Sequence, residues 1–245
     1  MKLATPEVLA AVEDLYRVFA IYPLPGWTDP CLHCHSENEE RQLRAFPLRE
    51  LGSEQLRYYA GDALLVWGDE ATFKHFLPRL FELYVTVSQP SLELTDPEIL
   101  FSKFRHGKWH LWPEEEINAV RRLTHAIWHA VLENQPDPDD APYDIDCYLC
   151  SIAQAEDDLE PYLQEWLMGD DLERCFALSS FLLASSGNAF WEGRDVPYQQ
   201  LKNWLRSEQV RQKLSWAIRR VYAPELKEEF KAALATLSQP APSAR

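Results

Sequence analysis

The sequence predicts an all-α protein, and three observations support this class. Apolar residues recur at helical spacing along most of the chain, and Pro, Ser, Thr and Asp stand where helices begin. No segment alternates polar and apolar residues between turns as a strand does. Glycine is scarce (8 residues) and proline frequent (17), which fits helices separated by many joints. We therefore expect about eleven helices in an α-α array or bundle, or in a helical-repeat-like stack.

Capping residues mark the helix starts of the first half of the chain. The predicted starts are Thr5-Pro6-Glu7, the capping box Ser36–Glu39, Gly52-Ser53, Gly68-Asp69, Thr95-Asp96-Pro97 and Trp112-Pro113. The helix from Ser53 is expected to carry apolar residues as far as Trp67, and the next to carry an apolar stripe as far as Tyr84. Pro78 lies inside that stripe and predicts a kink or a break there.

The second half begins with the clearest linker by composition, residues 135–144 (QPDPDDAPYD). The sequence predicts one domain, 1–237, and the alternative is two lobes, 1–134 and 145–237, joined by this linker. Further helices are expected at 145–156, 158–168 and 171–186, and from Pro197, Ser207 and Pro224 onwards. Residues 238–245 (SQPAPSAR) are expected to form a disordered tail.

Charge makes some partners unfavourable. With a net charge of −15, the protein repels nucleic acid and anionic membranes on average, so we expect neither as a partner. The acidic residues cluster in region 135–173, which is either a solvated face or a docking surface for a basic protein partner. The sequence leaves the oligomeric state open.

The N-terminus does not resemble a signal peptide, because Glu7, Glu13 and Asp14 interrupt the apolar run that such a peptide needs. No apolar stretch approaches the ~20 residues that span a bilayer. We therefore expect a cytoplasmic protein, in which the five cysteines are thiols or metal ligands rather than disulfides.

The densest group of metal-capable residues is Cys31-Leu32-His33-Cys34-His35, which follows a proline-broken loop and precedes a helix start. Two thiolates separated by two residues can bind one zinc ion at ~2.3 Å each, and a tetrahedral site then needs two more ligands. The candidate metal ligands are Cys31, Cys34, His35 and His33, with Cys147, Cys150 and His75 as ligands from elsewhere in the chain. A thiol-rich loop without a metal is the alternative.

Other histidines and cysteines have simpler interpretations. Cys147 and Cys150 form a second Cys-x-x-Cys, but the Ile and Leu residues around them predict a buried helix face, where cysteine packs as a small apolar residue. The same holds for Cys175. His125 and His129 share one helix face, and a semi-buried pair is favoured there over a metal chelate.

Several cofactor classes are not expected. Cys31-x-x-Cys34-His35 matches the string that attaches c-type haem, but the export signal that this attachment requires is missing. A thiol-redox role is open because the helix start at Ser36 can lower a thiolate pKa, although no thioredoxin-like βαβ pattern accompanies it. No phosphate-binding glycine loop or dinucleotide fingerprint is present, so no nucleotide is expected.

Two stretches resemble pieces of a group of uncharacterised bacterial all-helical proteins. They are residues 67–79 (WGDEATFKHFLPR) and 188–192 (NAFWE), and the early Cys-x-x-Cys loop resembles a third piece. The likeness spans most of the chain and implies a helical bacterial protein, without implying an activity or a functional residue.

The sequence favours a cytoplasmic helical interaction or scaffold module, with a structural zinc ion at the Cys31 loop as a candidate. The alternative is a metal- or thiol-dependent enzyme or redox sensor that uses Cys31, Cys34 and nearby histidines. The two classes differ in ligand number, because a structural zinc site is closed by four protein ligands and a catalytic one keeps a position for water.

Overall fold

A computed structural model describes residues 3–24, 26–133, 141–169, 171–184 and 187–237, with only the backbone described for 141–144. These residues form thirteen α-helices, eleven of them with seven or more residues, and they contain no β-strand. The all-α class is therefore confirmed. The tail predicted at 238–245 lies outside the described residues.

The helices follow one another along the chain, and the segment between α1 and α2 carries the Cys31 loop. In the first half they are α1 (Pro6–Phe19), α2 (Glu37–Gln42), α3 (Ser53–Asp62), α4 (Glu70–Thr86), α5 (Pro90–Glu93), α6 (Pro97–His106) and α7 (Glu114–Glu133). In the second half they are α8 (Ala141–Ala155), α9 (Glu160–Leu167), α10 (Leu172–Leu183), α11 (Asp195–Leu205), α12 (Glu208–Arg220) and α13 (Pro224–Thr236). Single 3-10 turns lie at Leu48–Glu50, Trp109–Leu111 and Ala189–Trp191.

The chain divides into two compact units, residues 2–130 and 131–245, and the division falls inside α7. Residues 134–140 of the chain are outside the described part. α8 begins at Ala141, inside the linker predicted at 135–144, so the last four residues of that segment are helical. Pro142 does not prevent this, because proline is tolerated in the first turn of a helix.

Aromatic side chains fill the core of the first unit, where α1 packs on α4. The rings of Phe81 and Phe104 stack with centroids 5.3 Å apart, and Phe101 meets Phe81 edge-on at the same distance. All three side chains are fully buried. Because aromatic residues bury large apolar areas, this cluster is the main hydrophobic contribution to the unit.

Of the boundary predictions in this unit, the break at Pro78 and the end of α3 near Trp67 are not observed. α4 runs from Glu70 to Thr86 with Pro78 buried inside it, so the proline does not divide the helix. α3 ends at Asp62 rather than near Trp67, since Ala63 is extended and Leu64 adopts a positive φ of 65°. Trp67 is therefore a buried loop residue.

In the second unit, the segment that contains NAFWE anchors α8. The Arg194 side chain donates to the backbone oxygens of Ala153 (2.6 Å) and Glu156 (2.9 Å), which have no helical partner at this helix end. The indole N–H of Trp191 donates to Asp146 on α8 at 3.0 Å. This stretch thus has a structural role at both ends of the helix.

Among the described residues, no helix has both the length and the apolar character needed to cross a membrane.

Candidate functional site

The loop that carries Cys31–His35 is attached to a second loop, residues 63–69. The Cys31 amide donates to the Val66 carbonyl at 2.8 Å, and Pro30 forms an isolated antiparallel bridge with Trp67. The Cys31 carbonyl accepts from the amides of both Cys34 and His35 at 2.9 Å. These hydrogen bonds therefore hold residues 31–35 as a closed turn directly before α2.

The buried carboxylate of Glu40 on α2 holds this loop in position. Glu40 on α2 accepts from the amide of Thr28 at 3.1 Å, from the Thr28 hydroxyl, and from Arg44 at 2.9 Å. The Thr28 hydroxyl in turn accepts from the indole N–H of Trp67 at 2.8 Å. This chain of hydrogen bonds fixes the position of the loop on α2 and on residues 63–69.

His35, a predicted metal ligand, is buried against Trp67 with ring centroids 4.4 Å apart. Its two nitrogens face carboxylates, with Nε2 3.2 Å from Oδ2 of Asp62 and Nδ1 3.6 Å from Oε2 of Glu39. The geometry of the Asp62 contact is not that of a hydrogen bond, so Nε2 is a buried nitrogen without a hydrogen-bond partner. His33, by contrast, is exposed.

Cys31 and Cys34 are both exposed thiols, and each affects the pKa of the other. The backbone amides of His33 and Cys34, together with the Cys34 thiol, lower the pKa of Cys31. The pKa of Cys34 is raised by that same thiol pair and by the nearby charge of Asp62. The pair is therefore asymmetric, with Cys31 as the more acidic thiol and Cys34 as the thiol that keeps its proton.

The predicted zinc site stays a prediction. In the part of the chain that the structure describes, no three His, Cys, Asp or Glu side chains are gathered as they are around a metal ion. The loop brings the two thiols together, but it directs His35 toward carboxylates.

The other predicted ligands have surroundings of their own. His75 on α4 donates from Nδ1 to the Tyr22 carbonyl at 2.8 Å, and this hydrogen bond connects α4 to the segment after α1. Burial lowers the pKa of His75. Cys147 is half-buried and Cys150 fully buried on α8, in the other compact unit. Cys175 is buried, as predicted, and His129 contacts Glu7 at 2.9 Å.

Several acids of region 135–173 take part in internal contacts. Asp146 accepts from Trp191, Asp157 pairs with Arg194 at 2.6 Å, and Asp158 accepts from Gln200 at 2.8 Å. Residues 135–140 and Asp170 of this region lie outside the described residues. Docking of a basic partner on the region stays a prediction.

Two residues that matter for the loop were missed by the sequence analysis. Asp62 ends α3 beside His35 and Cys34, and Lys103 of α6 is fully buried with its Nζ donating to the Gly61 carbonyl. Burial lowers the pKa of Lys103 to about 8, although Asp62 opposes this shift. No local pattern marks either residue, because each gains its role only when α3, α6 and the Cys31 loop meet.

The lowered pKa of Lys103 predicts an alkaline gain in stability. Between about pH 8 and the usual lysine value near 10.5, the unfolded chain holds a proton that the folded chain has released, so the free energy of unfolding rises with pH. In Lys103→Met this contribution is absent. Urea unfolding from pH 7.5 to 10.5 should show a rise in the wild type that exceeds that of the variant by about 1–3 kcal/mol. Parallel curves would contradict the prediction.

Comparison of the chain with protein-family models, curated proteins and solved structures finds no match.

Proposed function

We propose that the protein is a helical interaction module whose exposed Cys31–Cys34 dithiol exchanges with a disulfide of its partner. The observation that carries the proposal is the arrangement of the two thiols. They are exposed on one turn that the Cys34 amide closes by donating to the Cys31 carbonyl at 2.9 Å, and backbone amides favour the thiolate form of Cys31 alone. A cytoplasmic location, as expected from the sequence, keeps such a pair reduced and ready to react.

The reaction follows from the asymmetry of the pair. The Cys31 thiolate attacks one sulfur of the partner disulfide, the partner S–S bond breaks, and one partner thiolate leaves. Cys34 then loses its proton and attacks the Cys31 sulfur of the mixed disulfide, which releases the second partner thiolate. The partner disulfide is reduced to two thiols, and Cys31 and Cys34 are oxidised to one disulfide.

Zinc binding by the same thiols is a second candidate, favoured by the buried Nε2 of His35 that has no hydrogen-bond partner. Cys31, Cys34 and His35 would be three of the four ligands that a structural zinc site needs, and Asp62 beside His35 would be the fourth, once the loop gathers them around the ion. Such an ion would close the loop structurally and leave the thiolates unavailable for exchange.

Reaction with a chromogenic aromatic disulfide tests the proposal. We expect Cys31→Ser to slow the reaction about tenfold or more, because it removes the only thiol of the pair whose thiolate form the backbone amides favour. Cys34→Ser should complete the first step and accumulate the mixed disulfide, which mass spectrometry detects. The rate in the wild type should reach its plateau at a lower pH than that of an ordinary thiol.

Controls separate the dithiol from its alternatives. Cys147→Ser, in the second Cys-x-x-Cys, should leave the rate unchanged. Elemental analysis of the wild type is compared with that of Cys31→Ser/Cys34→Ser. One equivalent of zinc that disappears in the double variant would overturn the dithiol in favour of the structural metal, and equal rates in Cys31→Ser and the wild type would overturn it as well.

A further inference from the structure

We propose that the dithiol acts on a polypeptide, a segment in which a disulfide-bonded cysteine is flanked by apolar and basic residues. This inference rests on the function proposed above and names its substrate class. The segment docks on the apolar rim of the site, which we define as Trp27, Leu32, Leu65 and Val66.

The apolar rim lies on the two loops that hold Cys31 in place. Trp27, Leu32 and Leu65 are 47%, 62% and 54% exposed, and Val66 is exposed as well. Leu32 follows Cys31 directly, and Val66 accepts the hydrogen bond of the Cys31 amide. Single exposed apolar residues are ordinary on a protein surface, but a group of four on the two paired loops that carry the dithiol indicates a contact surface.

A cleft of about 330 Å³ continues this surface, and Trp27, Leu65 and Val66 are part of its wall. The same wall contains the backbone of Asp29 and Gly68, which have positive φ values of 53° and 74°. Leu64, next to the wall, also has a positive φ, a conformation that leucine rarely adopts. The fold therefore keeps an unfavourable backbone conformation at Leu64, and it leaves the large apolar side chains of the rim exposed to solvent.

Charge determines which segment fits. The cleft wall carries Asp29 and Asp69 and no basic residue, and Asp62 and Glu39 lie at the opposite side of the turn, near His35. An anionic small disulfide such as glutathione disulfide is repelled by this surface, whereas a basic segment is attracted. Apolar contacts at the rim and acids beside it together select a peptide with both kinds of residue.

Two peptide disulfides test the inference. Each is a disulfide-linked dimer of a short peptide with phenylalanine next to cysteine, and the two differ only in flanking lysines or flanking glutamates. We expect the reduced wild type to react with the lysine peptide about tenfold faster than with the glutamate peptide. We expect Trp27→Ser/Leu65→Ser to lose most of its rate with the lysine peptide and to keep the wild-type rate with a small aromatic disulfide.

Two further variants keep the test decisive if the double variant folds poorly. Asp29→Asn removes the charge and still tolerates a positive φ, so it should lower the preference for the lysine peptide. Leu92→Ser, at an exposed leucine of α5 that is not part of the rim, is the matched control and should change neither rate.

The outcomes distinguish this inference from the function on which it rests. If no disulfide reacts at Cys31, the proposed function fails. If all disulfides react at equal rates in the wild type and in the rim variants, the dithiol function stands and the docking inference is overturned. A homodimer in size-exclusion chromatography that dissociates in Trp27→Ser/Leu65→Ser also overturns it, because a second copy of the chain then covers the rim.

Discussion

Replacing Lys74 with methionine is expected to lower the free energy of unfolding by about 3–5 kcal/mol. The ammonium of Lys74 lies 2.8 Å from Glu116, and each side chain is only 3% exposed. Burial lowers the pKa of Lys74, but hydrogen bonds with Glu116 and Glu70 raise it on balance, so the group is charged. Methionine fills the space and leaves the Glu116 carboxylate buried with the Tyr22 hydroxyl as its hydrogen-bond donor.

Glu70 provides a matched control, because it contacts the same ammonium at 2.7 Å from an exposed position. Glu70→Gln should change the free energy of unfolding by less than about 1 kcal/mol, as is usual for exposed ion pairs. Adding Glu116→Leu to Lys74→Met should recover much of the loss, since the buried carboxylate is then removed. Equal losses in Lys74→Met and Glu70→Gln, measured by urea unfolding, would contradict this account.

Trp67→Ala is expected to be as destabilising, at about 3–5 kcal/mol, and also to alter the thiols. The indole is fully buried, contacts the rings of His35 and Tyr59, and donates to Thr28. Its loss leaves a cavity under the Cys31 loop and weakens the pairing of Pro30 with residue 67. The pH at which the Cys31 thiol reacts should then move toward that of an ordinary thiol.

Two variants separate packing from hydrogen bonding in this result. Trp67→Phe keeps most of the ring and removes only the N–H that reaches Thr28, so the expected loss is about 1 kcal/mol. Trp27→Ala removes an exposed tryptophan from the same region and should stay within about 1 kcal/mol of the wild type. If Trp27→Ala and Trp67→Ala destabilise equally, the assignment of Trp67 as the anchor of the loop is wrong.

Helix starts were the most predictable part of the fold. The capping box of Ser36 and Glu39 and the cap at Asp69 are present as expected, because each depends on contacts within four residues. Helix interiors and ends were less predictable. Pro78 stays inside α4, and α3 ends at Asp62, two residues before Leu64 with its positive φ. Both results depend on how these helices pack in the folded unit.

The candidate site was predictable in its thiols but not in its surroundings. The spacing of Cys31 and Cys34 indicates two sulfur atoms within reach of each other, and the structure places them so. The orientation of His35 depends on Trp67 and Asp62, which belong to another loop and another helix. Sequence spacing alone carries no information about such contacts.

The hydrogen-bond chain through Glu40, Thr28 and Trp67 determines the smallest segment that can be grafted onto another protein without a change in the reactivity of its thiols. A pentapeptide Cys-Leu-His-Cys-His grafted onto another scaffold would carry the sulfur atoms without the carboxylate, the indole and the paired loop that shape them. The contiguous segment 28–67 contains all of these groups. The thiol site is therefore encoded at the scale of a supersecondary unit, and a search for similar sites should compare arrangements of that size rather than short motifs.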